Sequence, residues 1–297
     1  MINDKVLNNV IPIRPNSDVK YIGNNSITFK EAGPMVLSIS SGKGGVGKTN
    51  IVANLGYTFC KMGKKVLIFD ADLGLGNLDI LLGLTPKYNL SHFILAQKNI
   101  DEIIVDGPLG MKIIPAASGI KELAHLSKEN KIPILQKIDD LVNQFDIFLI
   151  DNGAGISSNV LHFAAIAQDV LVVVSPEPTS LTDAYALIKV LSYHFGVSKF
   201  NLVVNMVNSA KEAEDVYHQL LMVTGRFLNV SIHYTGHVLR DDKITKGIKR
   251  QKVISEIYPE APASLCFQTL AGNILKIKRK KKDKDASNFI WGSLLNY

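Results

Sequence analysis

The 297-residue chain is poor in cysteine and tryptophan and has no long apolar run. Its two cysteines, Cys60 and Cys266, are far apart and stand at no metal-type spacing. That argues against an iron–sulfur or zinc carrier and fits a reducing cytoplasm. No stretch of about 18 apolar residues occurs, so no transmembrane helix is predicted. The first residues, Met1-Ile2-Asn3-Asp4-Lys5, lack the apolar core of a signal peptide. Seven histidines are scattered, and none joins a Ser-His-Asp arrangement. No internal repeat of about 20–50 residues is apparent. Net charge is also scarce outside one segment. Residues 276–285 carry a local +5 of the chain's +6, which leaves about +1 for the rest. The body is therefore not a basic nucleic-acid-binding surface.

What is present is globular: 46% apolar and 20% charged residues. From Met35 onward, apolar strand runs alternate with amphipathic helices. Strands are predicted at 35–40, 66–70, 111–115, 146–151, 170–175, 201–207 and 232–238. Helices are predicted at 49–62, 131–144, 157–168, 180–195, 209–224 and 262–277. The alternation indicates a mostly parallel, doubly wound α/β sheet covered on both faces, with ligands at the carboxyl ends of its strands. Residues 1–33 read as a flexible arm, 34–275 as the main domain, 276–285 as a polybasic linker and 286–297 as an apolar tail.

The first predicted strand runs into Gly42-Lys43-Gly44-Gly45-Val46-Gly47-Lys48-Thr49. Glycine, four residues, then Gly-Lys-Thr is the pattern of a nucleotide phosphate loop. Its glycines let backbone N–H groups turn toward phosphate oxygens. Lys48 has the reach for the β/γ-phosphates, and the Thr49 hydroxyl is a ligand for Mg²⁺. The helix opening at Thr49 and Asn50 aims its positive end at the same anion. Lys43 is an extra lysine inside the loop. A lysine there can point into a partner's nucleotide, the mark of a dimer with sandwiched nucleotides.

Two further strands end in acids. Lys65-Val66-Leu67-Ile68-Phe69-Asp70-Ala71-Asp72 places Asp70 and Asp72 two residues apart, on one face if the strand continues. One suits the Mg²⁺ water shell and the other the attacking water; a strand-end cap is the plainer reading. Asp151, at the end of Phe145–Ile150, suits a water-mediated Mg²⁺ role, and Gly153 and Gly155 suit a switch loop. Asn205 follows the strand Leu202-Val203-Val204, where an amide can pair with adenine; a turn or capping role also fits. The run Asn205-Met206-Val207-Asn208 favours ATP over GTP, because a guanine site usually carries Asn-Lys-x-Asp there.

In the tail, Ile290, Trp291, Leu294 and Leu295 form one helical stripe, widened by Phe289 and Tyr297. With the lysines upstream this is a membrane-surface signal. Twelve residues reach roughly 18 Å, too short to cross a bilayer. Each basic residue near an anionic leaflet contributes about 1 kcal/mol, so one tail binds weakly and two in a dimer far better. Packing on the domain, or a disordered basic end that binds nucleic acid, are the alternatives.

Ser41 to Thr49 resembles the deviant Walker A loop of the MinD/ParA class of dimerising ATPases. Three stretches resemble the flagellar number and placement regulators of that class, the FlhG type: Asp70 to Asp79, Asp151 to Ser157, and Pro176-Glu177-Pro178-Thr179-Ser180 with Thr182-Asp183-Ala184-Tyr185. Arg250-Gln251 and Tyr258-Pro259 with Pro262 also look like this family. The resemblance implies a Mg²⁺-dependent ATPase switching between an ADP-bound monomer and an ATP-bound homodimer. Lys43 would act across the dimer, Asp72 would position water, Thr49, Asp70 and Asp151 would serve the metal, and Asn205 would contact adenine. It also implies peripheral attachment to the inner face of the cell membrane. The implied partners are a signal-recognition-type GTPase, FlhF, and flagellar switch-complex or transcriptional proteins; no specific nucleic acid is expected. A MinD-type division-site regulator and a ParA-type DNA-partition ATPase are the alternatives. Two departures stand out: Asp4-Lys5-Val6 poorly matches the family's GTPase-stimulating Asp-Gln-Ala helix, and no proline stands near Leu239.

Overall fold

All seven residues of the first strand, β1 (Met35–Ser41), are buried, as are all six of β2 (Val66–Ala71). A strand buried on both faces cannot alternate apolar with polar residues, which explains the continuous runs in the sequence. The computed structural model describes residues 33–72, 76–115 and 127–277. The N-terminal arm, apart from Gly33, and the apolar tail with Phe289, Ile290, Trp291, Leu294 and Leu295 lie outside the described residues. The described part of the polybasic linker is Lys276 and Ile277.

After β1, helix α1 (Lys48–Lys61) leads to β2. Three short helices follow, α2 (Leu78–Leu82), α3 (Leu90–Ile94) and α4 (Ile100–Ile103), then β3 (Val105–Asp106) and β4 (Lys112–Ile114). Next come α5 (Lys128–Val142), β5 (Ile147–Ala154), α6 (Ser158–Ile166), β6 (Asp169–Val174), α7 (Pro178–Phe195), β7 (Lys199–Val207), α8 (Ala210–Phe227) and β8 (Ser231–Leu239). Helices α9 (Asp242–Lys249), α10 (Ile254–Ile257) and α11 (Pro262–Leu275) end the described chain.

The strand order is β3-β4-β2-β5-β1-β6-β7-β8. Every pairing is parallel except the two-residue β3 against β4 at one edge. The α/β architecture read from the sequence is therefore present, and each predicted strand appears. Side chains alternate across β1. Met35, Leu37 and Ile39 pack with α1 and α11 through Ile51, Leu55, Phe59, Phe267 and Leu270. Val36 points to the other face, into a cluster with Phe148, Ile150, Leu135, Ile138 and Phe163. Farther along that face, α7 and α8 cover β6 and β7 through Leu187, Leu191, Val216 and Leu220. Each such side chain, fully buried, contributes roughly 1.5–3 kcal/mol.

The differences from the predicted elements are local. Helices α2, α3, α4 and α10 are four or five residues long, too short for a 3.6-residue apolar period to be visible. Helix α5 begins at Lys128, ahead of the predicted 131, and carries Pro133 inside it.

The fold brings the carboxyl ends of β1, β2 and β5 side by side. Adjacent strands pair Asp70 with Asp151 and Ile39 with Asp151. The phosphate-loop motif and both strand-end acids thus meet at one rim of the sheet.

Candidate nucleotide site

The loop between β1 and α1 holds a conformation that its glycines make possible. Gly47 caps α1 at φ 84°, in the left-handed region. A Cβ there would stand 2.4 Å from Asn205 Nδ2. At the other end, a Cβ on Gly42 would stand 2.1 Å from the Asp183 carbonyl oxygen, so the loop lies directly on the α7 backbone. Helix α1 has no side-chain cap and no acid in its first turn. Its first N–H groups therefore have no partner in the helix and meet an anion with the favourable end of the dipole.

Lys48 is buried and donates to Asp151 Oδ1 at 3.0 Å. The Thr49 side chain also hydrogen-bonds Asp151. Asp151 Oδ2 is buried and has no hydrogen-bond partner among the described residues. Burial holds the Asp151 carboxyl above the ordinary range, although the Lys48 ammonium and the Thr49 bond pull the other way. An orphaned carboxylate oxygen beside a threonine hydroxyl is a hard-oxygen pair that suits Mg²⁺. Among the described residues no group of three or more His, Cys, Asp or Glu side chains could hold a metal unaided.

Asp70 is 2% exposed and is occupied by backbone. Its Oδ1 accepts from Asp72 N at 3.1 Å and its Oδ2 from Leu78 N at 3.4 Å. One carboxylate thus ties both ends of the segment that follows β2. Burial first, and the Asp151 carboxylate opposite second, push Asp70 up to about 7. The strand stops at Ala71, so Asp72 lies beyond its end. The Asp72 carboxylate sits beside the end of β5: a Cβ on Gly153 would be 3.6 Å from Asp72 Oδ1.

Lys43 makes contacts that the sequence did not disclose. Its ammonium forms an ion pair with Glu177 and donates to Thr179 Oγ1 at 2.9 Å. Glu177 is the N-cap residue of α7, Pro178 opens that helix, and Ser175 N donates to Ser180 Oγ at 3.0 Å to close the turn. The Pro-Glu-Pro-Thr-Ser run therefore shapes the rim on which Lys43 rests. Glu177 and Thr179 are the site residues that sequence reasoning missed. An acid and a hydroxyl at the carboxyl end of β6, facing an extra loop lysine, were the available signal.

Asn205 Nδ2 donates to the Val46 carbonyl at 2.7 Å, so this amide braces the phosphate loop. The next residue, Met206, has φ 62°. Asn50 faces along α1, where its Oδ1 accepts from Asn54 Nδ2 at 3.1 Å. Gly44, Gly45 and Val46 complete the loop; Gly45 has φ 81° and Val46 is 2% exposed. Among the described residues no helix is long and apolar enough to cross a membrane.

Comparison with known proteins agrees with this geometry. Residues 35–204 match the family model described as an AAA domain. The antiactivator FleN of Pseudomonas aeruginosa is 40% identical over 250 residues, which cover 83% of this chain and 89% of FleN. The flagellum site-determining protein YlxH of Helicobacter pylori is 33% identical over 80% of each chain. Among solved structures, a chain of the MinC:MinD cell division complex of Aquifex aeolicus superposes with a TM-score of 0.67 at 26% identity, over 84% of this chain and 98% of that one. The loop, the strand-end acids and these likenesses place the chain in the MinD/ParA class of P-loop ATPases, within the family that includes FleN and YlxH.

Proposed function

We propose that this ATPase is a nucleotide-controlled switch for the number or placement of flagella, active as an ATP-bound homodimer on the inner face of the cell membrane. The observation that carries the switch mechanism is the position of Lys43. It stands on the rim of the phosphate loop, about one-third exposed, and among the described residues its ammonium is held by an exposed acid and a hydroxyl. Exposed ion pairs of this kind contribute roughly 0–1 kcal/mol. The phosphates of a facing protomer can compete for Lys43 at little cost, which couples nucleotide to dimer.

Within the site, the loop amides and Lys48 bind the phosphates. Thr49 and Asp151 would hold Mg²⁺, with Asp70 beside Asp151 on the neighbouring strand. Bound Mg²⁺ supplies charge neutralisation on the phosphate oxygens. Asp72, beside the buried Gly153, orients the attacking water. Asn205 supports the loop and presents its amide toward adenine. The membrane contact is made by Phe289, Ile290, Trp291, Leu294 and Leu295 with the basic residues before them, on an anionic surface. Two tails in the dimer bind where one releases.

The flagellar target is supported by the likeness to FleN and YlxH, and the expected partners are FlhF and flagellar switch-complex or transcriptional proteins. The likeness to MinD favours one other reading, a division-site regulator using the same chemistry. Deleting the gene in its source cell and counting flagella and minicells by electron microscopy decides between them. Altered flagellar number or placement with normal division is the expected result. Minicells with normal flagella would overturn the flagellar assignment.

A further inference from the structure

The segment after α9 joins two parts of the site that are distant in sequence. Helix α9 ends in a closed turn, in which Arg250 N and Lys252 N both donate to the Gly247 carbonyl and Gln251 N to that of Ile248. A Cβ on Gly247 would stand 2.7 Å from Lys252 O, so the turn is tight. Gln251 lies at φ 55°, in the left-handed region that a glutamine enters only under constraint. The conformation brings its side chain onto α2. Gln251 Nε2 donates to the Ile80 carbonyl at 3.2 Å. A Cβ on Gly83, the left-handed cap of α2, would stand 3.1 Å from Gln251 Cβ.

Four residues later the same segment grips α1. Ser255 donates through its N–H and its hydroxyl to Asn54 Oδ1, at 3.3 and 3.1 Å. Asn54 is fully buried, and its Nδ2 donates to the Asn50 carbonyl at 2.9 Å, next to Thr49. Between the two grips, Val253 and Ile254 are buried in the core that contains α1 and α11. Residues 251–255 thus form a strap with one end on the phosphate-loop helix and the other on the helix that follows Asp72.

Helix α2 has only five residues, too few to be stable alone, and Leu78 and Leu82 seat it in the core. Its N-terminal end is held by Asp70 through Leu78 N, and its C-terminal end by Gln251. We propose that Gln251 is a positioning residue for ATP hydrolysis: through Ile80 it fixes α2, and with it the Asp72 carboxylate, against the phosphate loop. The proposal rests on the assignment of Asp72 as the residue that orients water. It gives the Arg250-Gln251 pair a task separate from nucleotide binding.

The test is Gln251→Gly in the full-length protein, read by steady-state ATP turnover, ATP affinity, Tm and amide hydrogen exchange across residues 78–82. Glycine accepts φ 55° without strain, so the backbone turn is kept while the amide donor and the side-chain packing at Gly83 are lost. Turnover is expected to fall roughly tenfold or more, since a misplacement of about 1 Å can cost about a hundredfold. ATP affinity stays within about twofold, Tm does not fall, and exchange in α2 quickens. Turnover equal to wild type overturns the proposal. So does a joint loss of turnover, affinity and Tm, which would make Gln251 a structural residue only. Asp72→Ala, measured beside it, separates the two assignments. If Asp72→Ala hydrolyses ATP at the wild-type rate, the role of Asp72 falls and the strap's role with it. If Asp72→Ala is inactive and Gln251→Gly is normal, the strap proposal alone fails.

Discussion

Lys48 and Asp151 form a buried ion pair at 3.0 Å that joins the phosphate loop to the end of β5. Both side chains are almost fully withdrawn from water. Removing one partner of such a pair leaves an uncompensated charge, at a cost of roughly 3–5 kcal/mol. Asp151→Ala should therefore lose stability on that scale in urea unfolding, as well as Mg²⁺-dependent nucleotide binding. A change of under about 1 kcal/mol would contradict the pairing.

Gly42 and Gly47 are required for reasons of space. A Cβ would meet the α7 backbone at the first and Asn205 Nδ2 at the second, where φ is also 84°. Backbone cannot give way as a side-chain tip can. Gly42→Ala should cost about 2 kcal/mol or more and displace α7, whereas Gly45→Ala, with open space around it, carries only the strain of φ 81°. Thermal unfolding of the two variants checks the order.

Lys43 should be dispensable for folding and necessary for assembly. Its pairing with Glu177 is exposed, so Lys43→Ala is expected to change stability by no more than about 1 kcal/mol. The same variant should remain monomeric with ATP and Mg²⁺ in sedimentation velocity. ATP-dependent dimers of Lys43→Ala would remove the lysine from the switch.

Asp70 makes the nucleotide-free protein sensitive to pH. Its folded-state pKa of about 7 lies above the ordinary 3.8, so the folded chain holds the proton more tightly than the unfolded one. The stability this proton contributes is fully present below about pH 4 and is lost as pH rises to about 7, with a plateau above. The loss is of the order of 2–4 kcal/mol. Denaturant unfolding between those limits should show the decline, and Asp70→Asn should flatten it. Parallel profiles for the two proteins would contradict the account.

Much of this site is visible in the sequence because its chemistry demands fixed spacing. Gly42, Gly47, Lys48 and Thr49 identify the phosphate loop, and the doubly buried runs around β1, β2 and β5 identify the parallel sheet that presents it. The i, i+2 relation of Asp70 and Asp72 is also visible, but not the division between them. That depends on the strand ending at Ala71 and on the amides of Asp72 and Leu78 turning back to Asp70. The partners of Lys43 lie 134 and 136 residues away, and Gln251 meets Ile80 across 171. No periodicity in a single sequence encodes such contacts. Asn205 was legible as a site residue by its place after a strand, yet its hydrogen bond to the Val46 carbonyl required the folded loop.

The most direct test of the switch is Asp72→Ala incubated with ATP and Mg²⁺, with phosphate release and sedimentation velocity followed on one sample. The carboxylate lies beside Gly153, near enough to Asp151 to raise that carboxyl, while the Lys48–Asp151 pair would bind the phosphates and metal. The account predicts that ATP still binds, phosphate release stops and dimer accumulates. Phosphate release at the wild-type rate, or a protein that stays monomeric with ATP bound, would contradict it.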